Sequence, residues 1–517
     1  MQAIIGSYKL AGIFIMKPLT VVIGHIPSSL FEKTLLSLTE SDIVERVLIV
    51  TQEPVHRRIP KCRIFVGGPL HSGDTLSLIL GEVRTKYLLF LRGSQQISIE
   101  SGALERLLER VKLTKAGLAY SDYYDESKQG KTLHPLCDYQ PGSVRDEFDF
   151  GAMILFSVAA IQGALKKYGA IPDVKFAGLY DLRLKVSIDH SIHHVLEPIY
   201  SAIRTRGHKA GAMGDLPRQG KIFGYVDPQN RDIQKEMETV FTDYLKKIGA
   251  YLPPHRFREV EQTPGSFPVE ASVVIPVRNR KETIAEAVRS AVSQETDFSF
   301  NVIVVDNHSA DGTTPVLFDL GRKYPSLKHV VPKRTDLGIG GCWNEAIRHD
   351  DCGRYAVQLD SDDLYSSRRT LQTMVDMLRD GNNAMVIGSY TLVNSRLEEI
   401  LPGLVNHREW TDENGRNNAL RINGLGAPRA FNTSLMRSVG FLNVSYGEDY
   451  AAALRISREY RVGRIYESLY LCRRWPGNTD AGLSLEEANQ NNAFKDKIRT
   501  DEILARKKIA EGIAHGA

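Results

Sequence analysis

The chain has 517 residues, a formal net charge of +4 and five cysteines. That length allows two domains with proper cores. The near-balanced charge excludes a nucleic-acid footprint but permits loose contact with an anionic membrane face, and the odd, scattered cysteines (Cys62, Cys137, Cys342, Cys352, Cys472) exclude a disulfide framework and fit a reduced, cytosolic chain.

The apolar patch Leu10 to Met16 is too short to span a bilayer, and a start at Met16 would place the first strand at Leu19. From there short β-branched runs alternate with helical stretches, which predicts a mainly parallel α/β sheet in each half. Val21-Val-Ile-Gly-His opens the first half, followed by a helical stretch from Leu30 to Leu38 and by Arg46-Val-Leu-Ile-Val-Thr. Lys86-Tyr-Leu-Leu-Phe-Leu-Arg-Gly-Ser-Gln95 is a buried strand that runs out into Arg92, Ser94 and Gln95. Tyr120-Ser-Asp-Tyr, Gly178-Leu-Tyr-Asp and Glu197-Pro-Ile-Tyr-Ser-Ala-Ile-Arg follow. Clustered Pro and Gly after the helical Phe241-Thr-Asp-Tyr-Leu-Lys-Lys predict a linker. The expected division is 17–248 for a first domain, 249–268 for the linker, 269–480 for a second domain and 481–517 for a C-terminal helical tail with a capping box at Ser484-Leu-Glu-Glu487.

The second half repeats the first in order, with an offset of about 268 residues from the acidic strand onward. Val273-Val-Ile-Pro-Val answers Val21, and a helix with the apolar face Ile284, Ala287, Val288, Ala291 and Val292 answers the first helix. Asn301-Val-Ile-Val-Val-Asp306 then leads into Asn307-His-Ser-Ala-Asp-Gly-Thr313. Asp306, at the carboxyl end of a buried strand, can accept hydrogen bonds from a nucleobase edge; Asp311-Gly312 can equally close an Asx turn. In Asp336-Leu-Gly-Ile-Gly-Gly-Cys-Trp-Asn-Glu-Ala-Ile-Arg348, Gly338, Gly340 and Gly341 allow close backbone approach beside a helix start, for phosphate or simply for a tight turn. Arg354-Tyr-Ala-Val-Gln-Leu-Asp-Ser-Asp-Asp363 ends in three carboxylates where the first half has none. Such a cluster can hold Mg²⁺ or Mn²⁺, or be a solvated acidic turn. Gly447-Glu-Asp-Tyr450 opens a helix, with Glu448 and Asp449 as caps or as catalytic acids.

In order and spacing these motifs resemble family 2 glycosyltransferases of the GT-A fold, over about residues 270–480. The resemblance rests on Ser272-Val-Val-Ile-Pro-Val-Arg-Asn279, Val305-Asp-Asn-His-Ser-Ala-Asp-Gly-Thr313, Asp360-Ser-Asp-Asp363 and Glu448-Asp449. It implies two tandem GT-A-like domains, the second an inverting, metal-dependent transferase that moves a sugar from a nucleotide-diphosphate sugar, UDP-sugars favoured, to a glycan or lipid-linked acceptor. It further implies that Pro276, Val277, Arg278, Asp306, Gly338, Gly340, Asn344, Asp360 and Ser361 bind the nucleotide sugar. Asp362 ligates Mn²⁺ or Mg²⁺, Asp449 is the general base, and Glu448 positions it. An acceptor loop is expected around Trp410, Gly424 and Gly426. The setting implied is polysaccharide or glycolipid assembly on the cytosolic membrane face.

One departure concerns the metal. The family often carries a late His after Arg, and here Leu471-Cys-Arg-Arg-Trp-Pro-Gly-Asn478 puts Trp475 in that place, for packing or for stacking on a sugar, with His407 as a remote substitute ligand. In the first half, pairing Gly178 with Gly447 sets Leu179-Tyr180 against Glu448-Asp449, whereas the steady offset sets Asp181 against Asp449. Three rivals stand beside this reading: a two-site polymerase, a sugar-1-phosphate nucleotidyltransferase, and a non-catalytic sugar-binding scaffold. The acid-free 92–95 stretch opposes the first, the glycine-free Pro276-Val-Arg-Asn-Arg280 loop the second, and Asp362 with Asp449 the third.

Overall fold

The computed structural model describes residues 17–92, 96–203, 230–260, 266–478 and 482–514; the patch at 10–16, Ser94 and Gln95 lie outside the described residues. The chain forms two compact units, one from residues 1–136 and 149–218, the other from 137–148 and 219–517.

The strands of the first unit are β1 (Leu19–Gly24), β2 (Val44–Thr51), β3 (Cys62–Val66), β4 (Tyr87–Leu91), β5 (Gln96–Ile99), β6 (Leu118–Ser121), β7 (Tyr123–Ser127), β8 (Gly130–His134), β9 (Met153–Ser157), β10 (Ile192–Val195) and β11 (Tyr200–Ile203). Seven of them make one sheet in the order β3-β2-β1-β4-β9-β6-β10, and β5-β11-β7-β8 make a small second sheet. The second unit has β12 (Ala271–Val277), β13 (Phe300–Asp306), β14 (Leu327–Val330), β15 (Tyr355–Gln358), β16 (Leu364–Tyr365), β17 (Met385–Val393), β18 (Glu399–Val405), β19 (Arg429–Asn432) and β20 (Val462–Arg473). Its sheet runs β14-β13-β12-β15-β19-β17-β20-β16, with β18 beside β17.

The two sheets share order and direction. β1 lies parallel to β2 and β4, β9 antiparallel to β4 and β6, and β10 parallel to β6. Likewise β12 lies parallel to β13 and β15, β19 antiparallel to β15 and β17, and β20 parallel to β17. Each unit is thus a mixed, mostly parallel α/β sheet, and the duplication legible in the sequence is a duplication of topology.

The local rules explain the elements. Val302 to Val305 are wholly buried, as a strand covered on both faces requires. The helix Ile284–Val292 buries Ile284, Ala287, Val288 and Ala291, a single apolar stripe. The helix Arg231–Lys247 buries Met237, Val240, Phe241, Tyr244 and Leu245, and it belongs to the second unit, whereas the sequence reading ended the first domain at 248. Its polar flank is held there too: Asn414 Nδ2 donates to Glu238 at 2.6 Å and to Thr242 at 2.9 Å. The segment 137–148 also joins the second unit, through Arg421 to Asp146 at 2.8 Å and Ser143 to Asp496 at 2.9 Å. Neither assignment is visible along the chain, because both depend on partners far away in sequence.

The C-terminal helix Leu485–Ala514 starts with the expected capping box: Glu487 N donates to Ser484 Oγ, and Ser484 N to Glu487 Oε2. It is more than a tail. Arg499 and Arg506 are almost wholly buried, and every charge is met. Arg499 donates to Asp496 at 2.8 Å, to Leu420 O at 2.9 Å and to Tyr450 Oη at 3.1 Å, while Arg506 pairs with Glu502 at 2.7 Å. Buried charges persist only when paired and hydrogen-bonded in this way.

Candidate active site

The site lies at the carboxyl ends of β12, β13 and β15, where open α/β sheets bind ligands. Pro276 and Val277 end β12, and Arg278 is exposed just beyond them. Asp306 ends β13 with no exposure, and both of its oxygens are committed internally. Oδ1 accepts from Ser309 N at 3.1 Å; Oδ2 accepts from Thr314 Oγ1 at 2.5 Å and lies 3.3 Å from His329 Nε2. Burial alone would raise its pKa, but His329, Ser309 and Thr314 outweigh that and hold it below the ordinary carboxylate range. Asp306 therefore shapes the loop after β13 from within, through Ser309, Thr314 and His329. Asp311 makes the Asx turn, accepting from Thr313 N at 3.0 Å, and it also receives Lys281 N at 3.0 Å. Asn279 joins the same two loops, donating its N–H to Ser309 and accepting from Ala310 N.

The glycine run serves packing. A Cβ on Gly340 would meet Leu442 O at 1.9 Å and Glu448 Cβ at 3.0 Å; one on Gly338 would meet the Val444 carbonyl carbon at 2.5 Å. The close approach expected there for a phosphate is made by the 442–444 backbone. Asn344 is not free for a nucleotide either: Nδ2 donates to Phe441 O at 2.8 Å, and Oδ1 accepts from Phe441 N at 2.9 Å. Sequence spacing locates such a tight contact but not its partner.

The acidic strand end is tightly organised. Asp360 takes two bonds from Gln358 Nε2, at 3.0 and 3.2 Å, and its N–H donates to Tyr470 Oη. Ser361 is buried, and its carbonyl receives Thr283 Oγ1 at 3.0 Å. Asp363 is buried and accepts from Arg473 N at 2.7 Å. Burial first, then the neighbouring acids, push the Asp363 carboxyl well above its ordinary value; burial, partly offset by Gln358, raises Asp360.

Asp362 has a different setting. Its Oδ2 accepts from Trp475 Nε1 at 3.0 Å and from Asn478 Nδ2 at 3.4 Å, with Arg280 Nε at 3.7 Å. Its Oδ1 takes no bond from the described residues. Trp475, in the place where the family often has a histidine, is half-buried, and its indole N–H braces the carboxylate. His407 is buried and faces Glu409 at 2.7 Å. Among the described residues there is no cluster of three His, Cys, Asp or Glu side chains that could hold a metal ion. A lone oriented carboxylate oxygen still fits a hard cation that takes its other ligands from diphosphate and water.

The helix Glu448–Glu459 starts after Gly447 at φ +80°, a left-handed cap that glycine adopts without strain. Asp449 Oδ2 pairs with Arg429 at 2.5 Å, and Arg429 also donates to Gln358 Oε1 at 3.0 Å. A continuous row Asp360–Gln358–Arg429–Asp449 results. Gln358 and Arg429 were absent from the sequence reading; only the meeting of β15 with β19 brings them together. Burial would raise Asp449, but Arg429 and then Lys495 lower it. Burial and the Asp449 charge push Glu448 up to about 8, and its Oε2 is buried without a partner among the described residues. Adjacent carboxyls driven apart in this way divide into an ionised group and a neutral one.

Glu448 couples stability to pH. Its folded-state pKa lies above its unfolded one, so its stabilising contribution is complete below about pH 4.5 and is lost as pH rises through about 8. Glu448→Gln should therefore flatten the fall in melting temperature over that window. An unchanged slope would contradict the assignment.

The expected acceptor residues divide. Trp410 is buried, its carbonyl receives Tyr466 Oη at 2.9 Å, and its ring lies 2.7 Å from where a Cβ on Gly415 would sit, so it is a packing residue. Gly424 is half-buried. Gly426 has φ +93°, and a Cβ there would meet His407 at 2.8 Å.

Residues 272–439 match the family model described as Glycosyl transferase family 2, so this part of the second unit is a family 2 glycosyltransferase domain. Over 123 residues the chain is 28% identical to the minor teichoic acid biosynthesis protein GgaB of Bacillus subtilis, covering 24% of this chain and 13% of that protein. Over 131 residues it is 30% identical to a poly(ribitol-phosphate) beta-glucosyltransferase of Bacillus spizizenii, covering 25% of this chain and 20% of that one. The chain thus spans a fifth or less of the length of these two relatives. Among solved structures, S. aureus TarS 1-349 in complex with UDP-GlcNAc is 21% identical with a TM-score of 0.35, covering 46% of this chain and 72% of that one.

Proposed function

We propose that the protein is an inverting, metal-dependent glycosyltransferase acting from its second unit. The observation that carries this reading is the row from Asp360 through Gln358 and Arg429 to Asp449, which joins the strand-end acids to a helix-borne carboxylate. Asp449 takes the proton from the acceptor hydroxyl as that oxygen bonds to the anomeric carbon, and the bond to the diphosphate breaks with its electron pair on the leaving group. A divalent cation held by Asp362 would offset the charge growing on that diphosphate. Asp306 fixes the loop that borders the nucleotide, and Glu448, neutral at physiological pH, offers a hydrogen bond to a sugar hydroxyl.

The names of the two Bacillus relatives favour a teichoic-acid or poly(ribitol-phosphate) polymer as acceptor, and the family resemblance of the motifs favours a UDP-sugar as donor. No helix among the described residues is long and apolar enough to cross a membrane. Contact with the cytosolic membrane face would be peripheral.

The test incubates the protein with Mn²⁺, candidate acceptors and a panel of nucleotide sugars. Release of nucleoside diphosphate, with the product's anomeric configuration inverted by NMR, is the expected result. Retained configuration would overturn the mechanism, and no release from any donor would overturn the enzymatic reading.

A two-site polymerase is disfavoured by the first unit. Gly73 N donates to Val174 O at 2.8 Å as Gly340 N donates to Val444 O at 3.0 Å, and Gly178 packs on Gly73 as Glu448 packs on Gly340. Gly178 and Leu179 therefore stand where Glu448 and Asp449 stand, which corrects both sequence alignments. Asp181 lies further along its helix, bound to Lys185 at 2.7 Å. Calorimetry should accordingly find one nucleotide-sugar site per chain; two sites would revive the polymerase.

A further inference from the structure

The duplicated sheet provides an internal control for residues the family motifs do not mark. Tyr87 pairs with Ser157 and Tyr355 with Asn432. Ser157 and Asn432 are both helix N-caps, accepting from Ala160 N and Leu435 N. These two anchors fix the equivalence of the strands. In the first unit Phe90 then pairs with Ile154 at the step where Gln358 meets Arg429 in the second.

Phe90 and Ile154 are buried, at 1% and 3% exposure. Arg92 stands in the place of Asp360, and Leu179 in that of Asp449. All four members of the polar row are therefore replaced together in the first unit, while the sheet order and strand directions are kept. The fold does not require Gln358 or Arg429, since an apolar pair fills the same step. Their presence tracks the acids that they bind.

We infer that Gln358 and Arg429 are positioning residues that hold the base Asp449 and the donor-side Asp360 in fixed relation. The inference rests on the proposed transferase reading. The orientation of Gln358 is set by its neighbours: its amide N–H faces a carboxylate and its carbonyl faces a guanidinium, so the reverse orientation would oppose like groups at both ends. Asp449 has one oxygen on Tyr450 N at 2.6 Å and the other on Arg429, which leaves the remaining lone pairs for an acceptor hydroxyl. The other charges bearing on this carboxylate are Glu448 on its own helix, Lys495 on the C-terminal helix and, through Glu448, Asp360.

The test compares Arg429→Met, Arg429→Lys and Gln358→Phe in the full chain, reading kcat, the donor KM and the pH profile of kcat. Misplacing a reacting group by an ångström can cost about 10²-fold, and Arg429→Met should lose that much in kcat with the donor KM little changed. Its acidic limb should move to higher pH, because Asp449 loses the cation that favours its ionised form. Arg429→Lys should return the limb towards wild type. Gln358→Phe leaves Arg429 on Asp449, so its limb should stay in place while kcat/KM for the donor falls about 10-fold. A structural role alone would lower the folded fraction and leave every profile unmoved. Active wild type with wild-type profiles in Arg429→Met and Gln358→Phe overturns this inference alone. Wild type that releases no nucleoside diphosphate overturns it together with the reading on which it rests.

Discussion

Asp449→Asn should lower turnover by about 10²–10⁴-fold, the usual cost of removing a general base, while donor binding by calorimetry stays near wild type. The separation follows from geometry. Asp449 sits on the first turn of the helix Glu448–Glu459, whereas Asp362 follows β15 and Asp306 ends β13. An amide keeps the shape and can still accept from Arg429, so the variant should fold. It cannot take a proton from a hydroxyl at neutral pH. Loss of donor affinity, or unchanged turnover, would remove Asp449 from the role of base.

Asp362→Ala should abolish transfer, and Asp362→Asn should fail as well, because a neutral amide cannot balance a divalent charge. Excess chelator should reproduce both in the wild type. A readout independent of turnover is Mn²⁺ binding followed by electron paramagnetic resonance in the presence of UDP. Trp475 and Asn478 hold one oxygen of Asp362, and the second takes no bond from the described residues. Partners that orient a metal carboxylate typically change affinity by about 10–100-fold when removed. Full activity in excess chelator would sink the metal assignment.

The acids at 360–363 and 448–449 were legible because the chemistry is written in contiguous letters at strand and helix ends. The parallel strands were legible because a run such as Val302 to Val305 suits no other environment. Three things were not. The role of the glycine run depended on the 442–444 backbone, about a hundred residues away. Gln358 and Arg429 carry no local signature, since a glutamine before an acidic turn and an arginine after a proline are ordinary until an antiparallel pairing joins them. Trp475 was visible in the sequence, yet its hydrogen bond to Asp362 depends on how the chain after β20 folds back. Asp306 shows a different limit: residue type and position were clear, but not that its oxygens would be taken by Ser309, Thr314 and His329.

The C-terminal helix has a consequence for biosynthesis. Arg499 reaches Tyr450 on the helix that begins with Glu448 and Asp449, and Glu502 pairs with Arg458 of the same helix at 2.7 Å. Leu485–Ala514 leaves the ribosome after every element it supports. Domains generally fold as units while the chain is being made, so the sheet can form early, yet the helix Glu448–Glu459 waits for its last brace. A nascent chain paused before residue 485 would hold the acidic strand end at 360–363 while the helix Glu448–Glu459 is still unanchored. The order of synthesis thereby places the anchoring of the helix Glu448–Glu459 after the polypeptide has been completed through Leu485–Ala514.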